Sequence, residues 1–291
     1  MPETTDCSAP LWRLIDSGPG DGAWNLALDE AIFRCVRERR SPPTLRLYAW
    51  DAPALSLGYA QDAAREVDLA ACRARGIAVL RRPSGGRAVL HDREVTYSVA
   101  VPAGEAGFGS GLDEAYRAVA AGLLAGLRLL GVDAALALRA PTGARPLRHP
   151  GCFASASRHE IVAGGRKIVG SAQRRSGGAF LQHGSILVEG HAEALGRLLL
   201  SPQRMEGAAV MTGLRDLLQP CPGYPEVSAA VAEGCAAAWG ARLVRGAPSA
   251  DEMEIARELE GEVRRVDKAR TPGLPCAGIP SRSLRMQEDA Y

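Results

Sequence analysis

Residues 158–189 place three strand-like runs between two glycine turns: RHEIVAG, then RKIVGSAQRR after a GG pair, then AFLQHGSILVE after SGG. Glycine pairs between β-branched and apolar runs are hairpin signals, and two hairpins in succession form an antiparallel meander. A chain carrying this segment builds an antiparallel sheet. EVTYSVAVP, residues 94–102, adds a strand with Val95, Tyr97, Val99 and Val101 on one face and a more polar opposite face.

Helical periods surround these strands. Trp24, Leu28, Ile32 and Val36 recur every four residues and predict an amphipathic helix starting at Asp21 or Gly22, ended by SPP. TLRLYAW, ALSLGYA and IAVLRR read as strands, AAREVDLAACRARG as one helix closing on Gly76, and residues 111–131 as a long apolar helix. EALGRLLL, GLRDLLQ and VSAAVAEGCAAAW continue the helical pattern. One charged helix follows residue 250, and the proline-, glycine- and serine-containing end is expected to be mobile. The predicted organisation is a catalytic domain over residues 12–246, with residues 247–291 as a helix and tail.

With 46% apolar and 23% charged residues the composition is that of a folded globular chain. MPETTDCSAPLWRL is acidic where a secretory leader is basic, and no apolar run reaches membrane-spanning length, so a cytoplasmic protein without a membrane partner is expected. A net charge of +2 and an aromatic content of 5% argue against a nucleic-acid partner. Seven irregularly spaced cysteines without a CxxC pair point to free thiols and no metal. Only two of the 35 basic residues are lysines, Lys167 and Lys268. A lysine that persists among arginines is a candidate for chemistry that a guanidinium cannot do.

Three segments could carry chemistry. In RRPSGGRAVLH, Arg82, Ser84, Gly85, Gly86, Arg87 and His91 surround a glycine pair that is either a turn or a backbone cradle with arginines as anion-binding forks. Lys167 opens a run whose Gly170, Ser171 and Ala172 leave room for a substrate, and it is either a solvated lysine beside a turn or a cation aimed at developing negative charge. Cys152, in HPGCF, lies in a proline-rich loop, where reactive groups are over-represented. His91, His183 and Gly184 are pocket neighbours that either contact substrate or hold loops, and Leu57, Val79, Val89 and Ile168 are candidate walls for an apolar tunnel.

Together RRPSGGRAVLHDREVTYSV, CFASASRHEI and GRKIVGSAQRRSGGAFLQHGSIL, with NLALDEAI and LSLGYAQ, resemble the cysteine-dependent octanoyltransferases of lipoate assembly, within the biotin/lipoate protein ligase superfamily. The resemblance runs from about Trp12 to Gly246 and keeps the order of all blocks. It implies an α/β (α+β) domain with a mainly antiparallel mixed sheet and flanking helices, the biotin/lipoate protein ligase catalytic-domain fold. It also implies an octanoyl-acyl carrier protein donor, a lipoyl-domain or glycine cleavage H protein acceptor, Cys152 as the acyl-thioester cysteine and Lys167 as the lysine that lowers its pKa. No cofactor is implied; ATP and magnesium enter only for the related lipoate ligases, while an amidotransferase using lipoyl protein as donor would share the cysteine chemistry. Two departures stand out: ASASRHE replaces a proline-serine pair and an aromatic before the glutamate, and Ser84 stands where many relatives have threonine.

Overall fold

The computed structural model describes residues 9–137, 160–200 and 211–266. In chain order its elements are β1 (Leu11–Gly20), α1 (Gly22–Arg37), β2 (Thr44–Trp50), β3 (Ala54–Leu57), α2 (Ala63–Glu66), α3 (Leu69–Ala74), β4 (Ala78–Arg81), β5 (Val89–His91) and β6 (Glu94–Val101). Then come α4 (Leu112–Leu129), β7 (Ala134–Leu136), β8 (Ile161–Ala163), β9 (Arg166–Ser176), β10 (Ala179–Leu187), α5 (Ala192–Gly196), α6 (Leu214–Leu217), α7 (Tyr224–Trp239), β11 (Arg242–Arg245) and α8 (Ala250–Val263).

Eight strands form the main sheet in the order β11-β1-β2-β6-β10-β9-β8-β7, and β4-β3-β5 form a second, small sheet. The expected meander is there: β8, β9 and β10 pair antiparallel in sequence, with positive φ at Gly164, Gly165, Gly177 and Gly178 in the two turns. β10 continues antiparallel onto β6 and β6 onto β2, whereas β1 joins β2 and β11 in parallel. The sheet is therefore mixed and mostly antiparallel, as expected.

The alternation in β6 divides the molecule. Val95, Tyr97, Val99 and Val101 enter one apolar core with Trp12, Phe108 and residues of α4 and α7. Glu94, Thr96 and Ser98 point the other way, and all three are also buried. What covers that second face is α1, held in turn by α8, whose Ala256, Leu259 and Val263 pack with Ala27, Ala31 and Ile32.

This packing changes two expectations. α1 starts as predicted, with the Asp21 side chain accepting from the amides of Ala23 and Trp24, but it is buried nearly all round rather than amphipathic because it lies between sheet and α8. The charged helix after residue 250 belongs to the same packed body: Glu252 is fully buried, paired with Arg13 of β1 and bonded by the Ser41 hydroxyl. The single helix expected over AAREVDLAACRARG breaks into α2 and α3, since Val67 turns extended to bridge Leu199 and Asp68 then caps a new start through Ala71 N.

α4 and α7 approach closely through glycine. A Cβ on Gly234 would sit 2.1 Å from the Gly126 nitrogen, and one on Gly126 would sit 2.7 Å from the Val231 Cα. Among the described residues no helix is long and apolar enough to cross a membrane, and the described cysteines Cys35, Cys72, Cys221 and Cys235 are free.

Candidate active site

Where the two sheets meet α1, a pocket opens. Leu26 of α1, Tyr48 of β2, Val89 and His91 of β5, Thr96 of β6, Gly170–Ala172 of β9 and His183–Ser185 of β10 line it, with Ser56 and Arg82. Eight residues singled out in the sequence therefore share one wall: Arg82, Val89, His91, Gly170, Ser171, Ala172, His183 and Gly184. The small residues of β9 and β10 leave the space. At Gly184 a Cβ would fall 2.1 Å from the Gly170 carbonyl oxygen and 2.9 Å from the Tyr97 ring, so no other residue fits.

The loop PSGG is a scaffold beside this pocket rather than part of its wall. Arg82 is buried, and its guanidinium holds the loop from within, giving Nε and Nη2 to the Gly85 carbonyl, Nη2 also to Arg87 O, and Nη1 to Ser56 O and Oγ at 2.7–3.1 Å. The expectation of an anion-binding fork is thereby corrected for Arg82, whose donors face loop carbonyls. Arg81 does the same one residue earlier, donating Nη1 to the carbonyls of Gly58, Tyr59 and Gln61 and Nη2 to that of Val266. Gly58 must be glycine, because a Cβ there would meet the Gly86 oxygen at 2.3 Å. Gly86 itself has φ +90°.

Ser84 is fully buried and reaches the wall through His183: Ser84 Oγ lies 2.6 Å from His183 Nε2, while His183 Nδ1 lies 3.2 Å from Asp29 Oδ2. Asp29 also accepts from Arg46 Nη1 at 2.7 Å and Tyr48 OH at 2.9 Å. Burial alone would raise the Asp29 pKa; the His183 hydrogen bond and the Arg46 charge outweigh it and hold the carboxyl below its usual 3.8. Burial next to that carboxylate pushes the Tyr48 hydroxyl well above its ordinary range.

A second carboxylate mirrors the first. Glu94 Oε1 receives His91 Nδ1 at 2.9 Å, Thr96 Oγ1 at 2.6 Å and Ser185 Oγ at 2.8 Å. His91 Nε2 lies 2.7 Å from Ser56 Oγ, and the His91 ring stacks on Trp50 at 4.0 Å between centroids. Burial again opposes ionisation, yet the His91 charge and these hydrogen bonds keep Glu94 below 4.5. Tyr97 OH of β6 lies 2.6 Å from Ser171 Oγ of β9, and burial pushes the Tyr97 pKa up to about 12.

Lys167 lies three residues before Gly170 on β9, buried and ion-paired with Glu160, and its carbonyl accepts from Thr212 N. It is thus not the solvated turn lysine that one reading allowed. It does not line the described pocket, and Cys152 and His159 lie outside the described residues. Of the four proposed tunnel walls only Val89 lines the pocket; Leu57 and Ile168 are wholly buried in the cores and Val79 packs against the small-sheet core.

Sequence reasoning missed Asp29, Glu94 and Ser56. Asp29 lies between apolar residues of a helix read as amphipathic and is 154 positions from His183. The polar face of β6 was the available signal for Glu94 and Thr96. Among the described residues no group of His, Cys, Asp or Glu suits a metal ion.

A family model described as the lipoyl protein ligase A/B catalytic domain matches residues 21–236. Octanoyltransferase LipM of Kyrpidia tusciae is 46% identical over 260 residues, covering 85% of this chain and 94% of that protein. LipM of Bacillus subtilis is 43% identical over 195 residues, covering 66% of this chain and 70% of its own length. Among solved structures, lipoate-protein ligase A bound with ATP superposes with a TM-score of 0.72 at 26% identity, over 89% of this chain and 100% of that one. A bipartite lipoate protein ligase from Thermoplasma acidophilum gives 0.71 at 26%, over 87% and 93%. With its mixed sheet, its glycine loop and this pocket, the chain belongs to the lipoyl protein ligase A/B catalytic-domain family, alongside the LipM octanoyltransferases.

Proposed function

We propose that this octanoyltransferase of lipoate biosynthesis takes its acyl group from octanoyl-acyl carrier protein onto Cys152 and passes it to a lysine of a lipoyl-domain protein, such as glycine cleavage H protein, in the cytoplasm. The observation that carries the reading is the pocket itself, whose polar side chains are engaged with other protein groups, suiting an unbranched acyl chain. At about 0.8 kcal/mol per methylene, burying the octanoyl chain's methylenes and terminal methyl supplies most of the binding.

The Cys152 thiolate attacks the donor thioester: the new S–C bond replaces the old one, and the carrier thiol leaves and takes a proton. One thioester becomes another, so ATP is not needed. Lys167 supplies the positive charge that favours thiolate over thiol and stabilises the tetrahedral oxyanion. The acceptor amine, deprotonated, then attacks the acyl-cysteine; a C–N bond forms, the C–S bond breaks and the thiol is restored. The amide lies well downhill of the thioester, making the second step irreversible.

Intact mass measured after incubation with octanoyl-acyl carrier protein, without ATP, tests this. Wild type should gain one octanoyl group that hydroxylamine releases, and Cys152→Ala should gain none. Transfer that needs free octanoate and ATP, and survives Cys152→Ala, would instead make the chain a ligase of the kind its solved structural neighbours are named for.

A further inference from the structure

For an acyl pocket, this wall contains an unexpected number of polar residues: besides Arg82, held by Ser56 and loop carbonyls, and Ser171, bonded to Tyr97, it has Tyr48, Ser56, His91, Thr96, His183 and Ser185. Each of the six has its polar atoms bonded to another protein group, Ser56 to its wall neighbours His91 and Arg82, and the bonds of the six lead to two carboxylates. Asp29 collects Tyr48 OH and His183 Nδ1. Glu94 collects Thr96, Ser185 and, through His91, Ser56. What faces the cavity is then methyl, methylene and ring surface.

We propose that Asp29 and Glu94 are specificity-determining residues, which keep the pocket apolar by drawing the hydrogen-bonding capacity of its wall away from the bound chain and so exclude oxygen-bearing acyl groups in favour of plain saturated ones. The proposal rests on the acyl-transfer reading above. Both carboxylates are 5% exposed or less and receive only donors. Neither oxygen of an ionised carboxylate donates, so every donor nearby can turn towards it. A hydroxyl on the acyl chain entering this pocket loses its water and finds every wall group already engaged. Converting either carboxylate to an amide puts an NH₂ among donors, and at least one wall group turns back to the cavity.

The experiment compares octanoyl- and 8-hydroxyoctanoyl-acyl carrier protein as donors for the full-length protein, reading kcat and KM separately. Wild type should prefer the plain chain by about 100-fold in kcat/KM, the order seen when an apolar pocket meets an added hydroxyl. Glu94→Gln and Asp29→Asn should cut that preference at least about tenfold, mainly through KM. Ser185→Ala, which removes a donor rather than freeing one, should keep the ratio at or above that of wild type.

Equal use of both donors by wild type overturns the proposal, as does a wild-type ratio in Gln and Asn variants that still melt cooperatively, or a fall in the ratio for Ser185→Ala. Should either amide variant fail to fold, the wild-type and Ser185→Ala ratios decide. If wild type transfers no octanoyl at all, the functional reading has failed; calorimetric binding of octanoate against 8-hydroxyoctanoate then tests the pocket alone.

Discussion

Lys167 of β9 and Glu160 form a buried ion pair, and losing Lys167 takes this partner from the Glu160 carboxylate. Lys167→Met should therefore cost about 3 kcal/mol of stability, visible as an earlier urea midpoint. On the mechanism proposed above it should also abolish the octanoyl mass on Cys152, because the charge proposed to favour the thiolate is gone. Glu160→Gln keeps the shape and the ammonium, so it should fold better than Lys167→Met and retain part of the thioester signal. The sequence marked Lys167 by the scarcity of lysine and Cys152 by resemblance. Nothing in it marked Glu160 as the partner, because an acid seven residues away across a turn looks like a surface charge until the hairpin closes.

Among elements, strands were more legible than the surroundings of helices. β6, β8, β9 and β10 follow from alternation and glycine turns, which are local. That α1 is enclosed on both sides depends on α8, more than 200 residues later, and so could not be read from its own four-residue period. The α4–α7 contact is similar: its glycines are visible in the sequence, but their closeness is not. Gly234→Ala should overpack this contact and destabilise the protein by about 1–3 kcal/mol, read by thermal melting, even though alanine favours the helix by nearly 1 kcal/mol in isolation. Glu252→Ala should be costlier, about 3–5 kcal/mol, since it leaves Arg13 without its buried carboxylate in the joint between β1 and α8. If α8 were an independent appendage, that variant would melt like wild type.

Across the whole molecule, Asp29, Glu94 and Glu252 are all buried carboxylates held below their ordinary values of 3.8, 4.5 and 4.5. Groups depressed on folding bind fewer protons in the native state, so their stabilisation is complete above about pH 5 and fades as pH falls through the native values. Urea midpoints should be flat from pH 7 to 5 and then drop steeply below about pH 4; Asp29→Asn should start lower at neutral pH and show a shallower acid slope. A midpoint that rose towards acid would contradict the assignment. The carboxylates answer together because they lie on one side of the sheet, Glu94 on β6 and Asp29 and Glu252 on α1 and α8, the helices packed over that face.

Arg81 gives that arrangement a further meaning. One guanidinium ties three carbonyls at the base of the glycine loop to Val266, the last described residue. Val266, just past α8, is thereby knotted to the scaffold beside the pocket, so that two segments some 185 positions apart share a fastening. Ending the chain at Val263 would spare α8 but cut that knot, and the first sign should be faster proteolysis within residues 58–61 rather than a lower melting temperature.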